Sequence, residues 1–240
     1  MYMDNELKEL HYFFKLGPKE RLEQLRKTGK LYMKNLDYFI NLETEFLEKG
    51  RGDASEASQM IIKRHELFIN GEQVEIGPAP GIIRDQRYIN SPVFCLMGKN
   101  ILKNCIENNV SESVFKVDFD DRLLSDFSDE SPPYVLVITD AKKFFNRIDK
   151  AINKLNIAAR RGFINYRDKR IPNVIEGQLL LDDVFTKDLS FSHQEEYRIL
   201  LDMEVEDYYE LNIGSIEDIS YIVDSSIIKY GFKLTITEVQ

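Results

Sequence analysis

"SHQEEYRILLD", residues Ser192–Asp202, is the stretch on which the fold turns. Its second half alternates as a strand does, with Tyr197, Ile199 and Leu201 on one face and Glu196, Arg198 and Leu200 on the other. By the same period of two, Gln194 shares a face with Glu196 where the strand begins. An amide and a carboxylate presented together can act on one ligand, the acid stabilising developing positive charge and the amide orienting a nucleophile. An isolated Q-x-E also reads as the solvated end of a loop with an Arg partner. The pair alone does not separate the two.

Working outward, other strand signals surround this one. "SPVFCLMG" (Ser91–Gly98) reads as a buried strand, as do "SVFKVDF" (Ser113–Phe119) and "YVLVIT" (Tyr134–Thr139). "GFINYR", "DISYIV" and "GFKLTI" add three more. "HELFINGEQVEI" (His65–Ile76) carries Asn70-Gly71 between alternating runs, which predicts a two-residue hairpin turn with positive φ at both positions. Asp140 is placed to cap the helix "AKKFFNRIDKAINKL", whose Phe144, Ile148, Ile152 and Leu155 recur at helical spacing. Near the start, Leu7–Lys15 reads as a strand ending at Gly17-Pro18, and Lys19–Thr28 as a short amphipathic helix stopped by Gly29. "KLYM" (Lys30–Met33) is a second strand and "NLDYFINLETEF" a second helix. Strands dominate without regular βαβ alternation. The expectation is an α+β fold in a single domain over residues 1–240, with a mostly antiparallel sheet and flanking helices.

Composition narrows the function classes. Hydrophobic residues make up 43% of the 240, enough for a sizeable core, and a net charge of −9 argues against a broad basic surface that coats nucleic acid. A local exception is the basic island "AARRGFINYRDKR" (Ala158–Arg170), which reads as a solvated helix end and turn or as a local groove. No apolar run reaches the ~18–20 residues of a membrane span, and the acidic opening lacks the regions of a signal peptide. Cys95 and Cys105 stand in no metal-like spacing and the three His are scattered, so no metal site and a reduced, cytoplasmic setting are expected. No Walker-type or Rossmann-type glycine loop is present.

The opening "HYFFKLGPKERLEQLRKTGKLYM" (His11–Met33), together with Ser91–Gly98 and Gln194-Glu195-Glu196, resembles the ADP-ribosyltransferase superfamily. The resemblance implies an ADP-ribosyltransferase-like domain with NAD as substrate. It makes His11 and Tyr12 the NAD-contacting entry strand and Ser91 the candidate for a middle motif. Glu196 becomes the acid that holds the ribose hydroxyl, Gln194 the residue that orients the acceptor, and Arg198 a phosphate or acid partner on the same face. A nucleic acid or a protein would be the acceptor, and a neutralising protein partner in a toxin–antitoxin or phage-defence setting would accompany it. Two features depart from the pattern: no Ser-Thr-Ser or Tyr middle motif is evident, and His11 is followed by Tyr-Phe-Phe. A closer resemblance, through "RGD" and a "Q-x-E-(Y/F)-R-I" ending, is to uncharacterised bacterial and mobile-element proteins, and it implies no activity.

The missing middle motif leaves a second function open: a non-catalytic module that senses a nucleotide or a protein. In a transferase Glu196 is expected to be exposed to a cleft that joins Tyr12, Ser91 and Glu196. Elsewhere, Asp53 and Glu56 in "RGDASEA" read as a capping pair at a helix start, with a ligand contact as the alternative. "DFDDRL" (Asp118–Leu123) reads as a solvated acidic turn or a divalent-cation site. His65 and His193 have no partner discernible in the sequence and read as surface or hairpin residues.

Overall fold

The computed structural model describes residues 11–44, 52–62, 68–73, 81–84, 86–100, 105–108, 112–126, 133–171, 174–175, 178–179 and 184–237. Strand β1 (His11–Gly17) meets Pro18, which cannot extend a strand ladder but suits the start of a helix. Helix α1 (Lys19–Thr28) follows and turns Leu22 and Leu25 inward. It ends where Gly29 adopts φ 64° and its N–H bonds the Leu25 carbonyl at 2.7 Å. Glycine is required there twice over, since a Cβ would also lie 1.8 Å from the Gly214 carbonyl oxygen. Gly29→Ala is therefore expected to cost about 2 kcal/mol or more and to lower Tm by roughly 4–8 °C in a thermal melt.

Strand β2 (Lys30–Asn35) and helix α2 (Leu36–Thr44) come next, then β3 (Pro92–Asn100), β4 (Tyr134–Ile138) and helix α3 (Ala141–Leu155). Asp140 caps α3 as its sequence predicts, accepting the Lys143 N–H at 2.8 Å. Strands β5 (Ala159–Phe163), β6 (Glu196–Leu201), β7 (Tyr208–Asn212) and β8 (Ser220–Val223) complete the main sheet. Its order is β5-β6-β3-β1-β4-β8, every pair antiparallel, with β2 pairing the start of β3 and β7 pairing β2. The fold is α+β, built mostly on antiparallel strands with a few helices. One small parallel pair, Asn165–Arg167 with Thr186–Asp188, stands outside the main sheet.

One edge of β3 is shared. β1 pairs with Met97–Asn100 and β2 with Pro92–Val93, which leaves Cys95 opposite neither. Lys15 fills the gap, its Nζ donating to the Cys95 carbonyl at 2.8 Å. An unmatched carbonyl inside a sheet is costly, and a lysine ammonium satisfies it.

The two faces of the sheet bury different things. One carries Phe13, Phe94, Leu96, Tyr197, Ile199 and Leu201 against α1 and α3, where Phe13 makes edge contacts with Phe145 and Tyr197 at 5.0 Å each. The other carries Phe14 and Met97 among aliphatic neighbours, then Val93 and Leu200, and between these groups Glu196 and Arg198. Both faces of β6 are thus covered, as its alternation of apolar and charged residues requires only if the charged side meets partners. Asn70 and Gly71 take φ 53° and 85° between Phe68–Ile69 and Glu72–Gln73, so the expected two-residue turn is present. The remainder of that predicted hairpin, His65 included, lies outside the described residues.

Candidate functional site

The charged side of β6 meets three segments distant in sequence. Arg198, 1% exposed, sends its guanidinium to both Glu196 and Glu56: Nε to Glu196 Oε1 at 2.8 Å, and Nη1 and Nη2 to Glu56 Oε1 and Oε2 at 2.8 and 3.1 Å. It also donates to the Val184 carbonyl. Lys187 closes the other end, its Nζ 3.0 Å from Glu196 Oε2, 3.1 Å from Gln194 Oε1 and 3.9 Å from Glu56 Oε2. The Cys95 thiol adds a further bond to Glu196, and the Glu196 N–H donates to the Tyr166 hydroxyl at 2.8 Å. Two carboxylates and two cations form one closed network.

Electrostatics follow from this geometry. Burial pushes the Glu196 and Glu56 carboxyls toward the neutral form, but Arg198 and Lys187 override it and hold both below the ordinary range. Burial likewise opposes the charge on Lys187 and Arg198, and the two glutamates reverse it, so both cations are held more firmly than usual. Burial and Glu196 raise the Cys95 thiol to about 12, which leaves it an inert packing group. Asp53 differs. Burial, then Glu56, raises its carboxyl. Its Oδ1 accepts from the Ser55 N–H at 2.8 Å and the Ser55 hydroxyl at 2.5 Å, while Oδ2 has no hydrogen-bond partner.

Several expectations are corrected here. Glu196 is 6% exposed rather than open to a cleft, and of the two roles expected of Arg198 it takes that of acid partner, bonding Glu196 and Glu56. Gln194 is not on the strand. It ends a 3-10 turn, Leu189–Gln194, and Glu195 then takes φ 41°, which breaks the alternation. Gln194 and Glu196 nevertheless converge, because both bond Lys187. Tyr12 lies opposite Lys99 and on the same sheet face as Glu196, with β3 between them, roughly 10 Å across two strand spacings. His11 pairs with Asn100 on β1, and its side chain is outside the description. Ser91 is buried just before β3, six residues from the Met97 that faces Glu196, which is roughly 20 Å along the strand. Ser91 thus stands well apart from Tyr12 and Glu196.

Asp53 and Glu56 do not cap a helix either. Residues 54–57 form a turn that leads into strand Ser58–Ile62, and Glu56 points into the network. In the acidic stretch, Asp120 binds the Arg122 guanidinium and N–H ahead of a short helix, Arg122–Ser125. No group of three or more His, Cys, Asp or Glu side chains among the described residues is placed to hold a metal ion. His193 is partnered by Asp126, at 3.1 Å from Nε2, and by the Ser190 carbonyl. Much of the basic island is engaged by the protein itself. Arg161 pairs with Asp149 at 2.8 Å, Arg170 with Asp168 at 2.7 Å, and Arg167 donates to the carbonyls of Asp168 and Ile171. Lys169 is fully buried, donating to Ser55 O, Ser58 O and Ser58 Oγ at 3.1 Å each. Among the described residues no helix is long and apolar enough to cross a membrane.

Comparison of the chain with family models, curated proteins and solved structures returned no match. The site must speak for itself. It has a graded shape: Arg198 and Glu56 are sealed, Glu196 and Lys187 reach solvent slightly, and Gln194 and Glu195 form the outer rim, where Lys99 pairs with Glu195. Lys187 and Tyr166 carried no signal in the sequence, being single residues in short irregular strands. Glu56 was visible, but its reach to a residue 142 positions away was not.

Proposed function

We propose that the chain is a non-catalytic binding module that recognises a nucleotide or a protein, with the Glu56–Arg198–Glu196–Lys187 network as the staple that shapes its surface. One observation carries this reading: both oxygens of Glu196 are already bonded by protein cations in a nearly sealed site. A carboxylate held between two cations in a nearly sealed site is closed off from a ribose hydroxyl or a forming cation. The expected result with purified protein and NAD is no release of nicotinamide above the buffer rate. Gln194→Ala, at the outer rim, should leave that null result and the fold unchanged. Measurable turnover by the wild type would overturn the reading.

A second reading keeps NAD-dependent ADP-ribosyl transfer on an ADP-ribosyltransferase-like fold. It is favoured by the convergence of Gln194 Oε1 and Glu196 Oε2 on one ammonium, at 3.1 and 3.0 Å. A ribosyl cation between amide and carboxylate would take the place that Lys187 holds, so Lys187 would have to swing out when NAD binds. Tyr12, on the same face with β3 between, would then flank the nucleotide. A nucleic acid or protein as acceptor, a neutralising partner, and a cytoplasmic toxin or phage-defence role belong to this reading. It predicts nicotinamide release that falls about 10²–10³-fold when a transition-state partner such as Gln194 is lost. One assay separates the two.

A further inference from the structure

Strand β7 lies at the margin of the main sheet with one side open. It pairs with β2 in unbroken register from Tyr208 to Asn212. The ladder continues at both ends, where the Asn35 N–H bonds the Asp207 carbonyl at 3.2 Å and the Ile213 N–H bonds the Gly29 carbonyl at 2.9 Å. Bonded pairs alternate along an antiparallel ladder, so Tyr209 and Leu211 turn their N–H and C=O groups toward β2. Tyr208, Glu210 and Asn212 turn theirs outward. Among the described residues none supplies a backbone partner to those three, and all three are exposed. Open edges are ordinarily guarded by Pro, Lys or a bulge, and β7 has none of these.

Beside this edge lies an aromatic step. Tyr32 on β2 and Tyr208 on β7, 44% and 48% exposed, have ring centroids 4.6 Å apart and planes 30° apart. Lys34 Nζ lies 5.7 and 5.8 Å from these rings. Aromatic rings beside lysines also suit a single-stranded nucleic acid, but charge decides against it. Residues 202–218 hold seven Asp or Glu and no Lys, Arg or His, which would repel a phosphate backbone. Both nearby lysines are taken, Lys34 by Asp207 and Lys30 by Glu210 at 3.2 Å. Asp202, Glu204 and Glu206 are exposed and make no ion pair among the described residues. A second copy of the chain fits poorly for the same reason. Two β7 strands paired antiparallel about Glu210 would set that carboxylate against its twin.

We propose that the open edge of β7 takes up an extended segment of a partner protein, bearing Lys or Arg at alternate positions, as an additional strand. The outward N–H and C=O groups of Tyr208, Glu210 and Asn212 supply the ladder, and side chains on the exposed face set the choice of partner. There Glu210 meets a basic side chain across the new pair, and the Tyr208 ring packs along the stem of another. The inference stands whether or not Glu196 is catalytic, since β6 is separated from β7 by β3 and β2.

Amide hydrogen exchange on the full chain tests it, with a capped octapeptide alternating Lys and Val as the probe. At saturating peptide, protection of the Tyr208, Glu210 and Asn212 amides should rise about tenfold or more, while Tyr209 and Leu211, already bonded to β2, change little. Binding should weaken with added salt, and a Glu–Val octapeptide and an oligothymidylate should leave the three amides unprotected. E210K should weaken binding about tenfold by turning attraction into repulsion. E210P removes an outward N–H without touching the β2 ladder and should abolish the gain in protection at Tyr208 and Asn212. If E210P proves unstable, E210K carries the test alone. No alternate-residue gain in protection with the Lys–Val peptide would overturn the proposal. So would an equal response to the Glu–Val peptide or the oligothymidylate, or unchanged binding by E210K. A free chain that sediments as a dimer with the same three amides protected would assign the edge to a second copy and overturn it as well.

Discussion

Arg198→Met is expected to destabilise the fold by about 3–5 kcal/mol, because it leaves Glu56 and Glu196 as neighbouring buried carboxylates without their shared cation. Arg198 makes bonds to both acids and to the Val184 carbonyl, and all three acceptors lose a donor at once. Methionine fills much of the volume, so the loss reads charge and hydrogen bonding more than cavity. In a chain of 240 residues this corresponds to a fall in Tm of roughly 6–20 °C. Arg198→Lys should fall between, since an ammonium keeps the charge but cannot bridge two carboxylates with a planar fork. A double-mutant cycle sharpens the test: Glu56→Gln should cost far less in the Arg198→Met background than alone. Urea denaturation of the four proteins measures this. Additive effects would show that Glu56 and Arg198 are not energetically joined.

The same network shows what could be read from the sequence and what could not. The caps at Gly29 and Asp140 and the Asn70-Gly71 turn were legible because each depends on residues a few positions apart, and the α+β class with its antiparallel sheet because strand signals dominate without regular βαβ alternation. The faces of β6 were legible as well, since alternation alone sets them. Strand β7, "YYELN", was not, because its inward residues are only Tyr209 and Leu211 in an acidic setting and its place depends on pairing with β2. Gln194 was misplaced by one local event: Glu195 turns left-handed, and period-two counting fails across it. The site resisted for a different reason. Whether "E-Y-R" is an exposed catalytic edge or a buried ion pair depends on Glu56 and Lys187, which come from elsewhere in the chain. Charge complementarity at long range has no local signature.

Glu196→Gln brings the opening question to a measurement. If the residue were an exposed acid, the substitution would change stability by on the order of 0.5 kcal/mol or less. In this site it should cost about 2–4 kcal/mol, because Gln has one acceptor oxygen for two cationic donors and turns an amide N–H₂ toward one of them. The pH profile should change with it. Glu196 and Glu56 are held below the ordinary carboxyl range, so their stabilisation is complete above about pH 4.3 and is lost as pH falls through the depressed folded-state values. Asp53, raised by burial, works in the opposite sense: its contribution is present in acid and is lost as pH rises through its elevated value. The wild-type acid limb is the difference between these, and removing Glu196 should flatten it. Melting curves of the wild type and Glu196→Gln between about pH 3 and pH 7 read both effects. A variant as stable as the wild type with an unchanged acid limb would mean that Glu196 stands free of the network. Coupled to a loss of NAD turnover, that result would return Glu196 to the role of catalytic acid.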